Sequence, residues 1–288
     1  MATPQIDTKT GQQTTGHEWD GIQELNNPLP RWWLMIFYAC IAIAVAYWVL
    51  YPSWPLIDSY SKGVMGYSSR DDVKADIAEA NLARKVYIDR IADAEMSEIL
   101  KDPQLMEFAL AGGKSAFGDN CAPCHGSAAQ GTTGYPNLSD DDWLWGGSLE
   151  AIQQTLLYGI RSTHDDTRVS DMPAFGRDEL LSKDDISNVT AYVLSLSREG
   201  QKPEAVTAGA TLFTENCAAC HGPDGKGNRE FGAPNLADAI WLYGSDRQSI
   251  RATVHGSRNG VMPHWDGRLP AETIKQLAIY IHALGGGE

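Results

Sequence analysis

The chain has 288 residues, which is enough for two domains of about 100 residues each. It carries 37 acidic and 23 basic residues, a formal net charge of -14, which argues against nucleic acid or an anionic membrane surface as a partner. The acidity suits a basic protein partner, because opposite fields raise association rates, and it also serves to keep a soluble domain dispersed. Charge alone leaves the partner open.

The first predicted element is an apolar helix. Residues 32–51 contain no charged side chain, and a helix of 20 residues spans about 30 Å, the thickness of the hydrocarbon core of a bilayer. Aromatic rings crowd both ends, and Pro52 and Pro55 end the helix. A buried core helix is the alternative. We expect residues 31–57 to form a transmembrane anchor with one helix over residues 32–51. A cleaved signal peptide is not expected, because a long polar segment precedes the apolar run.

Polar segments flank this anchor on both sides. Residues 1–30 are rich in Gly, Asn, Thr and Pro and are predicted to form a mostly irregular tail. After the anchor, Ser69 followed by Asp71 and Asp72 is typical of a helix start, with Ser69 as the N-cap. Apolar positions then recur at helical spacing to about Asp93. We predict that residues 58–103 form a helical connector.

The rest of the chain contains an internal repeat. Matched residues recur 96 to 98 positions later in the first part of each unit and 88 to 90 positions later in the second part. They are Gly113, Phe117, Asn120, Pro136 and Trp143 with Gly209, Phe213, Asn216, Pro234 and Trp241, and Met172, Ile186, Tyr192 and Leu196 with Met262, Ile274, Tyr280 and Leu284. Loop insertions produce such small changes of offset. The repeat predicts two tandem, mainly α-helical domains, residues 104–200 and 201–288.

Each repeat contains a C-x-x-C-H motif. The motif residues are Cys121, Cys124 and His125 in the first repeat, and Cys217, Cys220 and His221 in the second. Two thiols at this spacing reach the two vinyl groups of one haem, and the adjacent histidine becomes the proximal iron ligand. A lone C-x-x-C also serves zinc sites and thiol redox centres. Repetition with histidine, and the lack of a second cysteine pair near each motif, favour two covalently bound haem c groups.

The sixth iron ligand is predicted to be a methionine. Met172 and Met262 lie 47 and 41 residues after the motif histidines, each followed by proline and shortly before the last helix of its repeat. A soft sulfur ligand raises the potential relative to a second histidine. Methionine as a core filler is the alternative. Three histidines without an equivalent in the other repeat compete for the role: His164, His255 and His264, of which His264 is the main rival.

The repeat also predicts how helices pack. Gly113 and Gly209 would let the opening and closing helices of each repeat cross closely. Phe117 would pack with Tyr192 at one crossing. Phe213 would pack with Tyr280 at the other.

The proximal histidines are predicted to be held by backbone carbonyl groups. Pro136 and Pro234 would each accept the ring N–H of the histidine in their repeat. With six ligands on each iron, neither domain would have an open coordination position for oxygen or peroxide chemistry. We therefore predict electron transfer and no catalytic site in the chain itself.

Several further segments carry a resemblance to a known family. They are residues 20–24 (DGIQE), 26–33 (NNPLPRWW), 51–55 (YPSWP), 135–138 (YPNL), 141–143 (DDW), 235–236 (NL) and 241–244 (WLYG). Together with the single span and the two haem motifs, they resemble subunit III of the cbb3-type cytochrome c oxidases, the CcoP/FixP family. The resemblance covers essentially the whole chain, and one span matches the shorter, FixP-like form. It implies one N-terminal transmembrane helix followed by two class I cytochrome c domains.

The resemblance also implies ligands, partners and location. His125 with Met172, and His221 with Met262, map onto the axial ligands of the family. The haems would accept electrons from a c-type cytochrome and pass them through a second c-type subunit to the catalytic subunit, which reduces oxygen and pumps protons. The chain would lie in a bacterial inner membrane, with residues 1–30 cytoplasmic and the haem domains periplasmic.

Two alternatives to the oxidase subunit remain at this point. One is a free-standing, membrane-tethered dihaem shuttle without a permanent partner. The other is a dihaem peroxidase, which would need one iron with an exchangeable site. The matched Met-Pro pairs argue against the peroxidase.

Overall fold

The computed structural model describes residues 4–287 and divides into two compact units, Met1–Asn81 and Leu82–Glu288. Its described elements are mainly helical, as predicted. They are β1 Thr14–Trp19, β2 Ile22–Leu25, α1 Arg31–Leu50, α2 Ser69–Asp93, α3 Met96–Ile99, α4 Pro103–Asn120, α5 Ala122–His125, α6 Leu149–Tyr158, α7 Lys183–Ser195, α8 Pro203–Asn216, α9 Ala218–His221, α10 Arg247–Gly256 and α11 Ala271–His282.

The N-terminal tail is more regular than the sequence analysis expected. Strands β1 and β2 pair antiparallel in a hairpin, with Trp19 opposite Ile22. The two residues between them, Asp20 and Gly21, both have positive φ, at 50° and 83°. Asp-Gly is the typical sequence of a two-residue hairpin turn that needs positive φ at both positions. The prediction of a mostly irregular tail was therefore wrong for residues 14–25, and Asp-Gly was the signal that should have revealed the hairpin.

Helix α1 agrees with the predicted span to within one residue at each end. It covers 20 residues, and it is long and apolar enough to cross a membrane by length and composition. None of its residues is buried, so α1 is not a core helix within the described chain. It ends before Tyr51, which is extended, as expected for the residue preceding Pro52.

Helix α2 is present where it was predicted, but its cap and its first residue each lie one position earlier than expected. The backbone N–H of Asp71 donates to Oγ of Ser68 at 3.3 Å, and the N–H of Asp72 donates to the carbonyl of Ser68 at 3.1 Å. Ser68 therefore takes the capping role assigned to Ser69. Other helices begin in the same way, because a short polar side chain satisfies the first free N–H groups. The residues that do so are Asp102 for α4, Ser148 for α6, Ser182 for α7 and Asp246 for α10.

The second unit contains two hydrophobic cores, and each draws on both repeats. The α4/α11 core is formed by buried residues of α3, α4, α6 and α11, including Phe117, Leu156 and Leu277. The α7/α8 core is formed by buried residues of α7, α8 and α10, together with Phe175. The opening helix of the first repeat thus packs with the closing helix of the second. The closing helix of the first repeat packs with the opening helix of the second.

Two glycines allow these helix pairs to approach closely. A Cβ atom at Gly113 would collide with the backbone carbonyl of Gln276 in α11. At Gly209 it would collide with the backbone carbonyl of Asn188 in α7. Gln276 and Asn188 are themselves equivalent positions of the repeat, 88 residues apart. The predicted close crossings are confirmed, but the helices that cross come from different repeats.

The aromatic pairs at the crossings are exchanged in the same way. Phe117 packs on Tyr280, with ring centroids 5.5 Å apart, and Tyr192 packs on Phe213 at 5.0 Å. The predicted pairs, Phe117 with Tyr192 and Phe213 with Tyr280, were wrong. Because the two closing helices present equivalent residues, the sequence alone does not say which opening helix each will accept.

The connection between α7 and α8 accounts for the exchange. Only residues 196–202 separate them, and helices joined by a short loop usually pack as neighbours. Once α7 and α8 have paired, the docking face of α11 is left for α4. The sequence repeats still divide between α7 and α8, close to the predicted boundary at residue 200, but they are not separate packing units.

Candidate haem sites

The first C-x-x-C-H motif forms one tight helical turn after α4. The backbone N–H of Cys121 donates to the carbonyl of Phe117 at 2.8 Å, and the N–H of His125 donates to the carbonyl of Cys121 at 2.9 Å. Positions i, i+3 and i+4 of a helix lie on one side, so Cys121, Cys124 and His125 share a face. Gly126, with φ at 82°, then turns the chain away.

The second motif repeats this geometry. The N–H of Cys217 donates to the carbonyl of Phe213 at 2.8 Å, and the N–H of His221 donates to the carbonyl of Cys217 at 2.9 Å. Gly222 ends the turn with φ at 76°. Each motif therefore presents two sulfur atoms and one imidazole from a single turn fixed to an opening helix.

Both motif histidines are oriented through one ring nitrogen. Nδ1 of His125 lies 3.0 Å from the carbonyl oxygen of Pro136, and Nδ1 of His221 lies 3.1 Å from that of Pro234. The predicted hydrogen bonds are confirmed. In both residues burial lowers the pKa, and the hydrogen bond to the carbonyl opposes this in part. Each imidazole is thus favoured in its neutral form, with Nδ1–H donated to protein and Nε2 free to bind iron.

The motif cysteines differ in exposure. Cys121 is buried and Cys217 is partly buried, whereas Cys124 and Cys220 are exposed. Burial raises the pKa of Cys121 and of Cys217 to about 11, with a smaller contribution from the second thiol of each pair. These two thiols are therefore protonated at neutral pH, which disfavours a thiolate redox centre.

The donor atoms at the two motifs can be compared with what a metal ion and a haem require. Within residues 4–287, no three His, Cys, Asp or Glu side chains come together in a way that could hold a metal ion. The motif residues instead combine two sulfur atoms with one free imidazole nitrogen beside an apolar core. This donor set fits haem c, which needs two thioether bonds and a proximal histidine.

Each candidate methionine packs in the same core as a cysteine of the motif of the other repeat. Met262 packs against the α4/α11 core, which includes Cys121, and Met172 packs against the α7/α8 core, against which Cys217 also packs. Met262 exchanges two backbone hydrogen bonds of 3.0 Å with Ile160 of the first repeat. The carbonyl of Met172 accepts a hydrogen bond of 2.7 Å from Oγ of Ser257 in the second repeat. Each Met-Pro loop is therefore fixed to the opposite repeat.

The competing histidines have other contacts. The ring of His164 packs against the rings of Tyr158 at 4.8 Å and His264 at 5.5 Å between centroids. Nδ1 of His164 also accepts the backbone N–H of Asp166 at 3.0 Å. The carbonyl of His255 accepts the N–H groups of Gly176 and Arg177. His164 and His264 thus contact each other.

A polar cavity lies between segments of the two repeats. Its volume is about 520 Å³, and its walls include residues 141–144 and parts of residues 226–240. Asp142 lines it, and burial, together with the charges of Asp238 and Asp140, raises the pKa of this carboxyl to about 6, although Arg229 opposes the rise. The cavity was not predicted, because it depends on how the repeats meet.

Two arginine–aromatic pairs were not predicted from the sequence. Arg168 lies over the ring of Trp145, and Arg258 lies over the ring of Tyr243. Trp145 and Tyr243 are 98 positions apart, and the arginines are 90 apart and each four residues before a candidate methionine. These are the offsets of the repeat itself, so a fuller search for matched positions would have found them.

These features define the class of protein as a membrane-associated chain with two cytochrome c domains. Family models agree in all three parts of the chain. The N-terminal domain of cytochrome oxidase-cbb3, FixP, matches residues 11–58, Cytochrome c matches residues 110–197, and Cytochrome C oxidase, cbb3-type, subunit III, matches residues 204–281. Cytochrome c domains imply haem c binding.

Similar proteins extend the match to the whole length. The chain is 54% identical to the Cbb3-type cytochrome c oxidase subunit FixP of Bradyrhizobium sp. (strain ORS 278), over 99% of this chain and 98% of that protein. It is 50% identical to subunit FixP of Rhizobium meliloti (strain 1021), over 98% of each. It is 50% identical to subunit CcoP of Cereibacter sphaeroides, over 96% of this chain and 95% of that protein. The chain belongs to the FixP/CcoP family of cbb3-type cytochrome c oxidase subunits.

Proposed function

We propose that this chain is the membrane-anchored electron-transfer subunit of a cbb3-type oxidase and that it holds two haem c groups. It takes electrons from a c-type cytochrome donor and passes them, through a second c-type subunit, towards the catalytic subunit that reduces oxygen. The observation that carries this proposal is the duplicated C-x-x-C-H turn with its histidine held through Nδ1 by a proline carbonyl. The names of the relatives support the assignment to the oxidase complex.

Covalent attachment is assigned to the four motif cysteines, Cys121 and Cys124 in the first site, and Cys217 and Cys220 in the second. The proximal iron ligands are His125 and His221. The distal ligands are Met262 for the first site and Met172 for the second, the reverse of the pairing expected from the resemblance. The contacts of each methionine with the opposite core and backbone support the reversed pairing.

The residues of each site would hold the haem and set its reduction potential. Haem c supplies a reversible one-electron couple when it is bound. The hydrogen bond from Nδ1 to the proline carbonyl fixes the ring and makes Nε2 a better donor. The thioether of methionine and the apolar surroundings favour the reduced metal. With a histidine and a methionine as protein ligands, the iron of each site would have no open coordination position, so the chain would transfer electrons and would not react with oxygen itself.

The location follows from the same assignment. Helix α1 anchors the chain in a bacterial inner membrane. Haem c is attached on the periplasmic side, so the second unit lies in the periplasm and residues 1–30 lie in the cytoplasm. The free-standing shuttle differs from this proposal in having no permanent partners in the membrane.

Purification in mild detergent through a tag on this chain tests the proposal. We expect two covalent haems on this chain, together with b-type haem, copper and oxygen-consuming partners. Cys121→Ser and Cys217→Ser should each weaken or abolish covalent attachment at one site, with Cys40→Ser as the matched control. Two c-type haems without b-type haem or copper would favour the shuttle, and no covalent haem would contradict the site assignment itself.

A further inference from the structure

Arg168 is half-buried, and one of its hydrogen-bond donors is buried without an acceptor among the described residues. Its Nε is the one buried side-chain nitrogen or oxygen without a hydrogen-bond partner in the part of the chain that the structure describes. A buried donor without an acceptor costs about 1–3 kcal/mol, so native structures usually supply a partner. The missing partner calls for an explanation at this position.

The rest of the guanidinium group is firmly positioned. Nη1 donates to the carbonyl of Trp145 at 2.7 Å, and Nη2 donates to Oε1 of Gln154 at 2.8 Å. The guanidinium carbon lies 5.3 Å from the centroid of the Trp145 ring. Burial lowers the pKa of Arg168, and no carboxylate among the described residues offsets this effect. The group is therefore a positive charge without an anionic partner.

The equivalent arginine of the second repeat is satisfied within the protein. The guanidinium of Arg258 lies 4.6 Å from the centroid of the Tyr243 ring, and Nη2 donates to the carbonyl of Ser249 at 2.8 Å. Nε of Arg258, however, donates to Oγ1 of Thr253 at 3.0 Å. In the second repeat Nε of the arginine therefore has an acceptor, whereas in the first repeat the equivalent Nε has none within residues 4–287.

The backbone of Arg168 is tied to the loop that carries Met262. Ile160 forms a parallel bridge with Arg168 and an antiparallel bridge with Met262, so Ile160 lies between the two. Helix α6, on which the side chain of Arg168 rests through Gln154, contributes to the α4/α11 core. Arg168 is therefore linked through Ile160 and Gln154 to the Met262 loop and to the α4/α11 core, which also contains Cys121 of the first motif.

We propose that Arg168 binds a propionate carboxylate of the haem at the first C-x-x-C-H motif and donates its Nε–H to that group. This inference rests on the proposed function, which puts haem c at that motif. Propionates are the anionic groups of haem, and the planar guanidinium is the side chain best suited to a carboxylate. Arg168 acts as a positioning residue, and its charge offsets the propionate charge near the iron and so stabilises the reduced state.

The test is a redox titration of the purified full-length chain in its complex, with the two haems followed as separate waves. Arg168→Gln should lower the midpoint potential of one haem. Met262→His should lower the potential of that same haem. Arg258→Gln is the matched control and should leave that wave unchanged. Arg168→Lys keeps the charge and should restore part of the lost potential.

A purely structural role for Arg168 would lower stability or haem content without moving either potential. Unchanged potentials in Arg168→Gln, when Met262→His does lower one wave, would overturn the inference and leave the proposed function intact. If Arg168→Gln does not assemble with haem, Arg168→Lys decides: a smaller fall in the same wave supports the inference, and no fall rejects it. If the unmodified chain carries no covalent haem, the proposed function itself is rejected.

Discussion

The ring of Phe117 packs against the ring of Tyr280, with centroids 5.5 Å apart, although the two residues belong to different repeats. The matched pair, Tyr192 with Phe213, is exchanged in the same sense at 5.0 Å. The cores of the second unit are therefore shared between repeats. This sharing supports the proposal that each haem site combines a histidine from one repeat with a methionine from the other.

The exchanged aromatic pairs should be detectable in solution as energetic coupling. In a double-mutant cycle, Phe117→Leu and Tyr280→Leu should show a coupling of about 0.5–1.5 kcal/mol, the typical value for an aromatic pair. Phe117→Leu and Tyr192→Leu should be additive to within about 0.3–0.5 kcal/mol, because the two residues pack at different crossings. Chemical denaturation of the haem-loaded chain measures both. Strong coupling in the second cycle and additivity in the first would contradict the exchange.

The glycines at the two helix crossings should tolerate no side chain. Gly113→Ala and Gly209→Ala place a Cβ atom against a backbone carbonyl, and we expect each to cost about 1–3 kcal/mol in the free energy of unfolding. Gly118→Ala is the control on the same helix α4, where a Cβ would meet nothing within 4 Å. It should stabilise the protein by about 0.5–1 kcal/mol through helix propensity. Equal effects at Gly113 and Gly118 would disprove the close approach.

Replacement of each candidate distal ligand should lower the potential of one haem. Met172→His and Met262→His remove the soft sulfur, and each should lower a different wave by about 0.1 V or more, within the range of about 0.8 V that axial ligands span. His264→Ala is the control and should leave both potentials in place. A potentiometric titration followed by absorbance measures the changes. If His264→Ala moves a wave that Met262→His does not, His264 and not Met262 is the ligand.

The cavity between the repeats should make stability depend on pH. The pKa of Asp142 is raised in the folded protein to about 6, above its value in the unfolded chain. As pH rises, the unfolded chain therefore loses this proton at a lower pH than the folded protein, and this lowers the free energy of unfolding. The stability that the protonated Asp142 carboxyl gives the fold is present below about pH 4 and is lost as pH rises from about 4 to 6. After discounting for partial exposure, we expect about 1 kcal/mol, or a melting temperature shift of about 2–4 °C.

Asp142→Asn should accordingly raise the melting temperature at about pH 7.5 and have little effect at about pH 4. Asp141→Asn, at the exposed neighbouring position, is the control for a general change of charge. Thermal unfolding of both variants and the unmodified chain at the two pH values gives the answer. A stabilisation by Asp142→Asn that is the same at both pH values would show that the carboxyl does not titrate as described.

Features that depend on local sequence could be predicted closely. Helix α1 requires only an uncharged apolar run, and its observed bounds are close to the predicted ones. Each C-x-x-C-H motif forms a turn through hydrogen bonds between residues close in sequence. The proline–histidine hydrogen bonds also lie within one repeat, 11 and 13 residues apart. In contrast, the pairing of α4 with α11 is a choice between two equivalent docking faces, and repeated sequence carries almost no information about that choice.

The other unpredicted features depend on how the two repeats meet or differ. Met262 shares a core with Cys121, and the cavity lined by Asp142 is formed by both repeats. The unsatisfied donor of Arg168 is a difference between the repeats, because Arg258 uses the same donor. The short connection of residues 196–202 between α7 and α8 was the one sequence feature that favoured the exchange.

An electron cryomicroscopy map of the tagged oxidase complex, with both haems bound, tests the central claim most directly. We predict that Nε2 of His125 and the sulfur of Met262 bind opposite faces of one iron, and that His221 and Met172 bind the other. A map in which His125 shares an iron with Met172, and His221 with Met262, would contradict the exchange of ligands between the repeats.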